Sequence, residues 1–349
     1  MPELLKIIDE LKNYDGRPLT FMEVCGTHTA SISEAGIPSM LSDKIRLISG
    51  PGCPVCVTVA EYIDVLIDYS RQKNTVVVSF GDMLRVPGSK ESLKDAMASG
   101  GKVKMVYSPL EMLDTAEKDK LTTYIFAAVG FETTTPIYAV LIDEAIRRNI
   151  TNIKLLTALK TMPKAIEFLC ESGSKIDGFL APGHVAVITG ANEFKSLAEK
   201  YNLPFVVSGF EGKELIASIY ALVKLAGKGV AKNLYKRAVS DCGNETARKS
   251  VQKYFEPCDA VWRGIGILKG SGMALKPEYA SFDAGSRDIV KDNKINSACR
   301  CSEVIIGKTS PVKCPLFGKI CTPESPQGAC MVSTEGSCYS YYVNGRKDF

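Results

Sequence analysis

The stretch that decides the fold is residues 124–158, YIFAAVGFETTTPIYAVLIDEAIRRNITNIKLLTA. Its two ends, 124–129 and 153–158, are apolar runs of the kind that form buried strands. Between them, residues 134–149 place apolar side chains at helical spacing. A strand, a helix and a second strand in this order form a βαβ unit, whose strands are parallel. The stretch therefore predicts a parallel sheet covered by helices.

The same alternation continues on both sides of this unit, from about residue 20 to residue 226. Further β-branched runs predict strands at 20–24, 45–49, 75–80, 103–107, 177–181 and 205–208. Further helical patterns lie near 60–72, 91–99, 110–119, 163–173, 192–201 and 212–226. Strands that alternate with helices indicate the α/β class, with a parallel sheet covered on both faces.

The eight predicted strands fit either one sheet or two. A chain of 349 residues usually forms two or three domains. We predict two Rossmann-like α/β domains, residues 14–120 and 121–226, which join at the polar stretch 114–123. After residue 226 the apolar periodicity fades and Gly and Pro become frequent. Residues 227–349, with an N-terminal helix over 1–13, are predicted to form a loop-rich third domain held by a metal cluster.

Composition limits the possible functions. The net charge of +4, with no Lys/Arg run longer than two, does not predict a nucleic-acid-binding face. The N-terminal helix alternates apolar and charged residues, unlike a signal peptide, and no apolar run approaches the roughly 20 residues of a membrane span. We therefore expect a soluble, cytoplasmic protein. In that reducing compartment, twelve cysteines indicate metal, cluster or redox chemistry.

One cysteine pair, Cys53-Pro54-Val55-Cys56, follows a predicted strand and a Gly-Pro-Gly turn and precedes a predicted helix. A helix N-terminus offers free backbone N–H groups and a positive dipole end, which favour a thiolate and lower its pKa. The spacing suits a reversible disulfide or a metal site in which both thiolates are ligands. The alternative is a pair of ordinary buried cysteines, which this local context disfavours.

A further thiol follows the first predicted strand in Cys25-Gly26-Thr27-His28. A lone cysteine at a strand end is often a small buried hydrophobe. A soft thiolate, however, also suits low-spin iron that carries π-acid ligands. Gly26 lets the backbone approach a ligand closely, and His28 can hydrogen-bond or ligate. The other histidine of the chain, His184, follows a later strand, and for it a structural role is the commoner interpretation.

Ligands of open α/β sheets bind at the carboxyl ends of strands. In this sequence those ends carry CGTH (25–28), GPGCPVC (50–56), GD (81–82), GFE (130–132), PGH (182–184) and GFE (209–211). Cysteines, both histidines and several carboxylates are therefore predicted on one edge. Glu132 and Glu211 can equally start helices, because carboxylates stabilise helix N-termini. Asp82 and Arg85 lie in a Gly/Pro-rich loop that suits either binding or structure.

Six cysteines near the C-terminus follow the pattern C-x-C-x12-C-x6-C-x8-C-x7-C. They are Cys299, Cys301, Cys314, Cys321, Cys330 and Cys338. Four thiolates suffice for a [4Fe–4S] cluster or for a structural zinc ion, and the spacing alone does not separate the two. The sequence contains no P-loop and no GxGxxG, so it gives no support to nucleotide binding.

Six motifs, taken together and in order, resemble the HypD family of [NiFe]-hydrogenase maturation proteins. They are FMEVCGTHT (21–29), GPGCPVCVT (50–58), SFGDMLRVPGS (79–89), GFETTTP (130–136), GFLAPGHV (178–185) and CPLFGKICTPESPQGACMVSTEGSC (314–338). The resemblance runs from about residue 20 to the C-terminus. It implies a scaffold that works with the small chaperone HypC and holds an iron carrying cyanide and carbon monoxide. It also implies that cyanide comes from HypE and that the finished Fe(CN)2CO unit passes to the hydrogenase large subunit.

The resemblance also implies roles for individual residues. Cys25 would be the iron-binding thiolate, supported by His28, and Cys53 and Cys56 would be the redox pair that faces it. The family carries a [4Fe–4S] cluster in surroundings like those of ferredoxin–thioredoxin reductase. By that likeness the cluster ligands would be Cys299, Cys314, Cys321 and Cys338. Cys301 and Cys330 would then form a nearby disulfide, whereas the alternative ligand set is Cys314, Cys321, Cys330 and Cys338.

Two other functions fit part of the pattern. A stand-alone thiol oxidoreductase of the ferredoxin–thioredoxin reductase type would use the same cluster and CxxC pair, but it does not explain CGTH or the PGH turn. A binding protein with a structural zinc domain would have no redox role. We favour the maturation scaffold, because it accounts for all six motifs.

Overall fold

The structure is a computed structural model that describes residues 2–292 and 296–345. Its strands are β1 (Leu19–Glu23), β2 (Ile45–Ser49), β3 (Thr75–Ser79), β4 (Val103–Met105), β5 (Thr123–Gly130), β6 (Ile153–Lys160), β7 (Gly178–Pro182), β8 (Phe205–Ser208), β9 (Ala231–Asn233), β10 (Phe255–Trp262) and β11 (Gly266–Leu275). Its helices are α1 (Pro2–Lys12), α2 (Gly26–Glu34), α3 (Ala60–Ser70), α4 (Leu93–Ala98), α5 (Leu113–Lys118), α6 (Thr135–Arg147), α7 (Met162–Glu171), α8 (Gly183–Thr189), α9 (Glu193–Tyr201), α10 (Gly212–Leu225), α11 (Glu245–Tyr254), α12 (Cys301–Ile305) and α13 (Ser337–Val343).

The strands form two sheets. The first sheet is parallel throughout, in the order β2-β1-β7-β8-β9. The second sheet has the order β10-β11-β6-β5-β3-β4, in which β3 to β6 are parallel and the β10–β11 hairpin adds two antiparallel strands at one edge. Helices connect the parallel strands, as their apolar faces require. The predicted α/β class with parallel-rich sheets is therefore confirmed.

The sheets do not divide the chain at residue 120, as the predicted halves 14–120 and 121–226 would require. The chain enters the first sheet with β1 and β2, forms β3 to β6 in the second, and returns to the first with β7 to β9. The return is fixed by pairing of β1 with β7, where Arg17 and Asp177 form an ion pair at 2.6 Å. Periodicity within a segment reports its secondary structure but not its partner strand, and so the sequence pattern missed this interleaving.

The predicted third domain, residues 227–349 with helix 1–13, does not form a separate layer in the described residues. Strand β9 extends the first sheet, the β10–β11 hairpin extends the second, and α1 packs against α10. Strand β10 was missed because the middle of the strand alternates half-buried and exposed residues, with buried ones only at its two ends, and it contains Pro257. Met1 and the predicted-domain residues 293–295 and 346–349 lie outside the described residues.

A central core joins both sheets to the C-terminal segment. Met22 from the first sheet, Phe131 beside the second and Val304 from α12 all belong to it. Trp262 is fully buried there, stacks on Phe131 with ring centroids 5.9 Å apart, and donates a hydrogen bond from Nε1 to Ser271 Oγ at 2.8 Å. The segment after residue 296 has too few apolar residues for a core of its own and uses this shared one. Throughout the described chain, no helix combines the length and the apolar character that crossing a bilayer demands.

Asn152 closes the connection between α5 and β5. Its side-chain Nδ2 lies within hydrogen-bonding distance of the carbonyl oxygens of Ala116, Asp119 and Thr122, at 3.1, 2.8 and 2.8 Å. Asn152→Ala should lower the free energy of unfolding by about 1–3 kcal/mol, because the carbonyl groups lose their donors. Urea denaturation measures this loss. Asn13→Ala, which removes an exposed hydrogen bond to Asp9, is the control and should change stability much less; equal losses for the two variants would contradict the bridging role.

Candidate functional site

The CGTH and CPVC motifs meet at the carboxyl ends of adjacent strands. Because β1 pairs with β2, the loops that follow these strands lie side by side. The Gly26 N–H donates to the Gly52 carbonyl at 3.0 Å. A Cβ atom added to Gly52 would lie 2.3 Å from the Cys25 nitrogen, so no side chain fits between the loops. This close approach brings the backbone of Cys25 against the residue that precedes Cys53.

The two thiols of the CxxC motif are buried and in contact, with Sγ atoms 2.7 Å apart. The Cys56 N–H donates to Cys53 Sγ at 3.3 Å, and the segment is a single turn, because α3 does not begin until Ala60. The predicted position of the pair at a helix N-terminus is therefore wrong. The expected lowering of pKa also fails for Cys56, whose pKa lies well above the usual thiol range because of burial and the neighbouring Cys53.

The thiol that does lie at a helix N-terminus is Cys25, which occupies the position before α2. Burial raises its pKa to about 12, and the negative charge of Glu335 adds to this effect, while the backbone N–H groups of His28 and Thr27 oppose it. The protein alone therefore holds Cys25 as a neutral thiol. A cationic metal that replaces the proton would reverse this balance.

His28 is fully buried beside Cys25. Its Nε2 donates to the Gly209 carbonyl at 3.1 Å, and its Nδ1 has no hydrogen-bond partner. Burial lowers its pKa to about 4, so the ring stays neutral near pH 7. The ring of Phe210 lies between the two imidazoles, with centroids 4.8 Å from His28 and 3.9 Å from His184. The ends of β1, β7 and β8 thus bring both histidines to one place.

The lowered pKa of His28 makes stability pH-dependent. The unfolded chain takes up a proton on this residue below about pH 6.5, whereas the folded chain does so below about pH 4. Acidification from 6.5 to 4 should therefore lower the free energy of unfolding by on the order of 3 kcal/mol. His28→Gln keeps a donor for Gly209 but does not titrate. Denaturant unfolding at several pH values should show this slope in the native protein and not in the variant; parallel curves would contradict the assignment.

Glu335 was not singled out from the sequence, yet it lies at the centre of the site. The Glu335 Oε1 atom accepts a hydrogen bond from Thr27 Oγ1 at 2.6 Å. A Cβ atom added to Gly26 would lie 2.5 Å from the Cβ of Glu335. The segment before it is held by the SFGDMLR loop: Arg85 donates to the Val332 carbonyl at 3.1 Å, and Ser333 donates to Asp82 at 2.9 Å. The signal available was the TEGSC end of the last motif, which places a carboxylate three residues before Cys338.

The remaining carboxylates of the strand ends take different roles. Glu211 starts α10 with a capping box and pairs with Arg237 at 3.0 Å, which confirms the helix-start interpretation. Glu132 does not cap α6, which begins at Thr135. Its Oε1 accepts from the Met162 N–H at 2.8 Å, its Oε2 is buried without a partner, and burial raises its pKa to about 7.

The six C-terminal cysteines also converge. Cys330 Sγ lies 2.8 Å from Cys301 Sγ and 3.2 Å from Cys338 Sγ. A Cβ atom on Gly328 would lie 3.0 Å from Cys299 Sγ and 3.5 Å from Cys301 Sγ. The Gln327 N–H donates to Cys321 Sγ at 3.4 Å. Five of the six cysteines, including Cys314, are buried in the central core. The sixth, Cys299, is half-buried and packs against that core.

This cluster of thiols adjoins the CxxC pair. The carbonyl of Ala329, the residue before Cys330, lies 3.9 Å from Cys56 Sγ. Among residues 2–292 and 296–345, no three His, Cys, Asp or Glu side chains are arranged to hold a single metal ion. The donor set is nevertheless soft, composed of thiols alone and enclosed by apolar side chains, and a backbone N–H points at one sulfur. These features fit an iron–sulfur group.

Fold and site together define a thiol-rich α/β protein in which the CxxC pair and the C-terminal cysteines share one core. The buried thiol of Cys25 lies in the loop next to the CxxC loop. A family model described as HypD, the hydrogenase formation hypA family, matches residues 2–345. The chain is 38% identical over 344 residues to a putative hydrogenase expression/formation protein of Methanocaldococcus jannaschii, covering 97% of this chain and 94% of that one. It is 37% identical over 334 residues to the hydrogenase maturation factor HypD of Escherichia coli, covering 93% and 89%. The chain therefore belongs to the HypD family of hydrogenase maturation factors.

Proposed function

We propose that this protein is a cytoplasmic scaffold on which the Fe(CN)2CO unit of a [NiFe]-hydrogenase is assembled, together with a HypC-like chaperone. The observation that supports this most directly is the backbone contact between the two motif loops, 3.0 Å from Gly26 N to Gly52 O. Because of this contact, the loop with Cys25, the thiol that we propose as iron ligand, lies next to the loop that carries the CxxC pair. A fully buried, neutral histidine completes the surroundings.

In this proposal Cys25 binds the iron cargo as a thiolate. Its proton leaves when iron binds, because a metal ligand must be deprotonated and the raised pKa of about 12 keeps the free thiol neutral. His28 supports the site from the first turn of α2, where its hydrogen bond to the Gly209 carbonyl fixes the ring. A HypE-like protein supplies cyanide, and the finished unit passes to the hydrogenase large subunit. Neither nucleic acid nor a membrane takes part.

The resident cofactor in this proposal is a [4Fe–4S] cluster held by Cys299, Cys314, Cys321 and Cys338. When bound, such a cluster supplies single electrons. Cys301 and Cys330, with sulfurs 2.8 Å apart, form a pair that loses two protons and two electrons on becoming a disulfide. Cys330 Sγ also contacts Cys338 Sγ. The ligand set to compare with the proposed one is therefore Cys314, Cys321, Cys330 and Cys338.

The CxxC pair and the Cys301–Cys330 pair are proposed to form a thiol relay. A thiolate of the reduced pair attacks the disulfide of the other, so that one pair is oxidised as the other is reduced and no further reactant is needed. The contact between Cys56 and the Ala329 carbonyl supports exchange over a short distance. A stand-alone reductase of the ferredoxin–thioredoxin type would use the same pairs, but family membership favours the maturation role.

Anaerobic purification tests the proposal. The protein should be brown and contain about four iron and four sulfide per chain, as expected for one [4Fe–4S] cluster. After coexpression with a HypC-like chaperone and a HypE-like donor, infrared bands of cyanide and carbon monoxide should appear. A colourless protein with one tightly bound zinc ion would overturn the relay. Rapid reduction of a generic disulfide substrate without partners would favour the reductase instead.

A further inference from the structure

A cavity of about 540 Å³ lies on the second sheet, and its lining includes none of Cys25, Cys53, Cys56 and the six C-terminal cysteines. Its walls come from the end of β6, from the β10–β11 hairpin and from the segment around residues 286–290. A volume of this size suits a small organic ligand. Nothing in the assembly of an iron unit at Cys25 requires it.

Lys160, the last residue of β6, lines this cavity and is only 3% exposed. Its ammonium group has no carboxylate within ion-pair distance and no hydrogen bond to a side chain or carbonyl in the described part of the chain. It faces the ring of Trp262, with Nζ 5.7 Å from the centroid. The positive charge of Arg263, which is also buried, adds to the cost of this arrangement, and burial lowers the pKa of Lys160 to about 8.

An unpaired buried ammonium is expensive, and an apolar residue of similar length would relieve the cost. The backbone of Lys160 needs no lysine, because its pairing with Gly272 uses main-chain groups alone. The buried ammonium group of Lys160 at the wall of the cavity is therefore best explained by an anionic ligand that pairs with it. The acidic residue among those that line the cavity, Asp259, forms no ion pair with Lys160; its Oδ1 accepts from the Gly270 N–H at 2.9 Å.

The rest of the lining defines the chemistry of the ligand. Ser286 and Arg287 add polar groups on one side, although Arg287 is already paired with Glu256 at 2.6 Å. Tyr62, Leu159 and Met273 supply apolar surface. Polar and apolar groups contribute about equally to the lining, and Lys160 is its one cation without an ion-pair partner among the described residues. Such a mixed lining suits a small molecule with an anionic head and an apolar body.

We propose that this cavity binds a small organic acid, whose carboxylate or phosphate group pairs with Lys160 and whose apolar body packs against Tyr62 and Met273. The site is independent of the iron scaffold proposed above. It is bounded on one side by Thr58, which follows the CxxC loop.

Trp262 is the single tryptophan of the chain and is fully buried against Lys160, so its fluorescence reports on this site. Full-length protein would be titrated with benzoate, with phenyl phosphate and with inorganic phosphate. We expect a saturable change in Trp262 fluorescence with at least one aromatic anion. The tighter of the two aromatic compounds identifies the head group, and inorganic phosphate should bind more weakly because it lacks the apolar body.

Lys160→Met should weaken binding by about tenfold or more, the usual cost of losing a charge-assisted hydrogen bond. Lys160→Arg should retain most of the affinity. Lys154→Met is the matched control: it lies on the same strand, its Nζ bonds to the Ser281 carbonyl, and its affinity should equal that of the native protein. Should Lys160→Met fail to fold, Lys160→Gln removes the charge with a smaller change in polarity. No saturable signal from any of the three probes, or equal affinity in the charge-removing variant, would overturn the proposal.

Discussion

Gly52→Ala is expected to abolish the proposed assembly of the iron unit and to lower the free energy of unfolding by about 2 kcal/mol or more. The new Cβ would lie 2.3 Å from the Cys25 nitrogen, 2.5 Å from the Val24 carbonyl carbon and 2.6 Å from the Cys25 Cα. These are backbone atoms at the end of β1, which cannot move aside as a flexible side chain would. The CGTH and CPVC loops must then separate, and the bond from Gly26 to Gly52 must break.

Two measurements check this expectation: denaturant unfolding of the purified variant and recovery of hydrogenase activity in cells that lack their own copy of the protein. Gly212→Ala is the matched control. Gly212 is the first residue of α10, and the added Cβ would meet Ala35 at an ordinary 3.4 Å. It should keep both stability and activity. A Gly52→Ala variant as stable and active as the Gly212→Ala variant would show that the loops do not depend on their close approach.

Cys25→Ala is expected to eliminate the proposed iron cargo, with its cyanide and carbon monoxide, while leaving the proposed [4Fe–4S] cluster intact. The reason is that Cys25 lies in the loop before α2, whereas the proposed cluster ligands all lie after residue 296. Infrared spectra of the complex with the chaperone should lose the diatomic-ligand bands. Iron and sulfide analysis should still give about four of each.

The exposed Cys242 provides the control for loss of a thiol as such. Cys242→Ala should keep both the infrared bands and the iron content. Bands of native intensity in Cys25→Ala would exclude this residue as the cargo ligand. Loss of cluster iron together with the bands would instead indicate that Cys25 stabilises the C-terminal cysteines.

The sequence predicted local structure well and nonlocal pairing poorly. All eight strands between residues 19 and 208 appear near their predicted positions, because apolar runs bounded by turns are a local signal. The meeting of Cys25 with the CxxC loop followed from strand ends that share an edge. The division into two sheets could not be predicted from the sequence. Strand β1 pairs with β7, and the apolar pattern of a strand does not identify its partner.

Within the site, the errors arose where burial overrode a local motif. The CxxC motif predicted a helix start and an acidic thiol, but Cys56 sits in a single turn inside the core, and burial raises its pKa. The position of Glu335 beside Thr27 joins residues 308 positions apart, which only the packed structure reveals. Lys160 was not singled out for a similar reason, because its isolation from carboxylates is a property of the packed neighbourhood and not of its own segment.

The return of the chain from the second sheet to the first has a consequence for synthesis on the ribosome. Strands β1 and β2 emerge early, but β7, which pairs with β1, is made much later. The paired residues Phe21 and Gly178 are separated by 157 positions in the sequence. At ordinary rates of translation this is a wait of roughly ten to thirty seconds with an unpaired strand edge. The second sheet closes later still, with β11, and the cysteines after residue 296 are made last. The nascent chain therefore exposes an edge open to wrong partners for most of its synthesis, and the thiols proposed to receive iron and sulfide become available only after both sheets have all their strands.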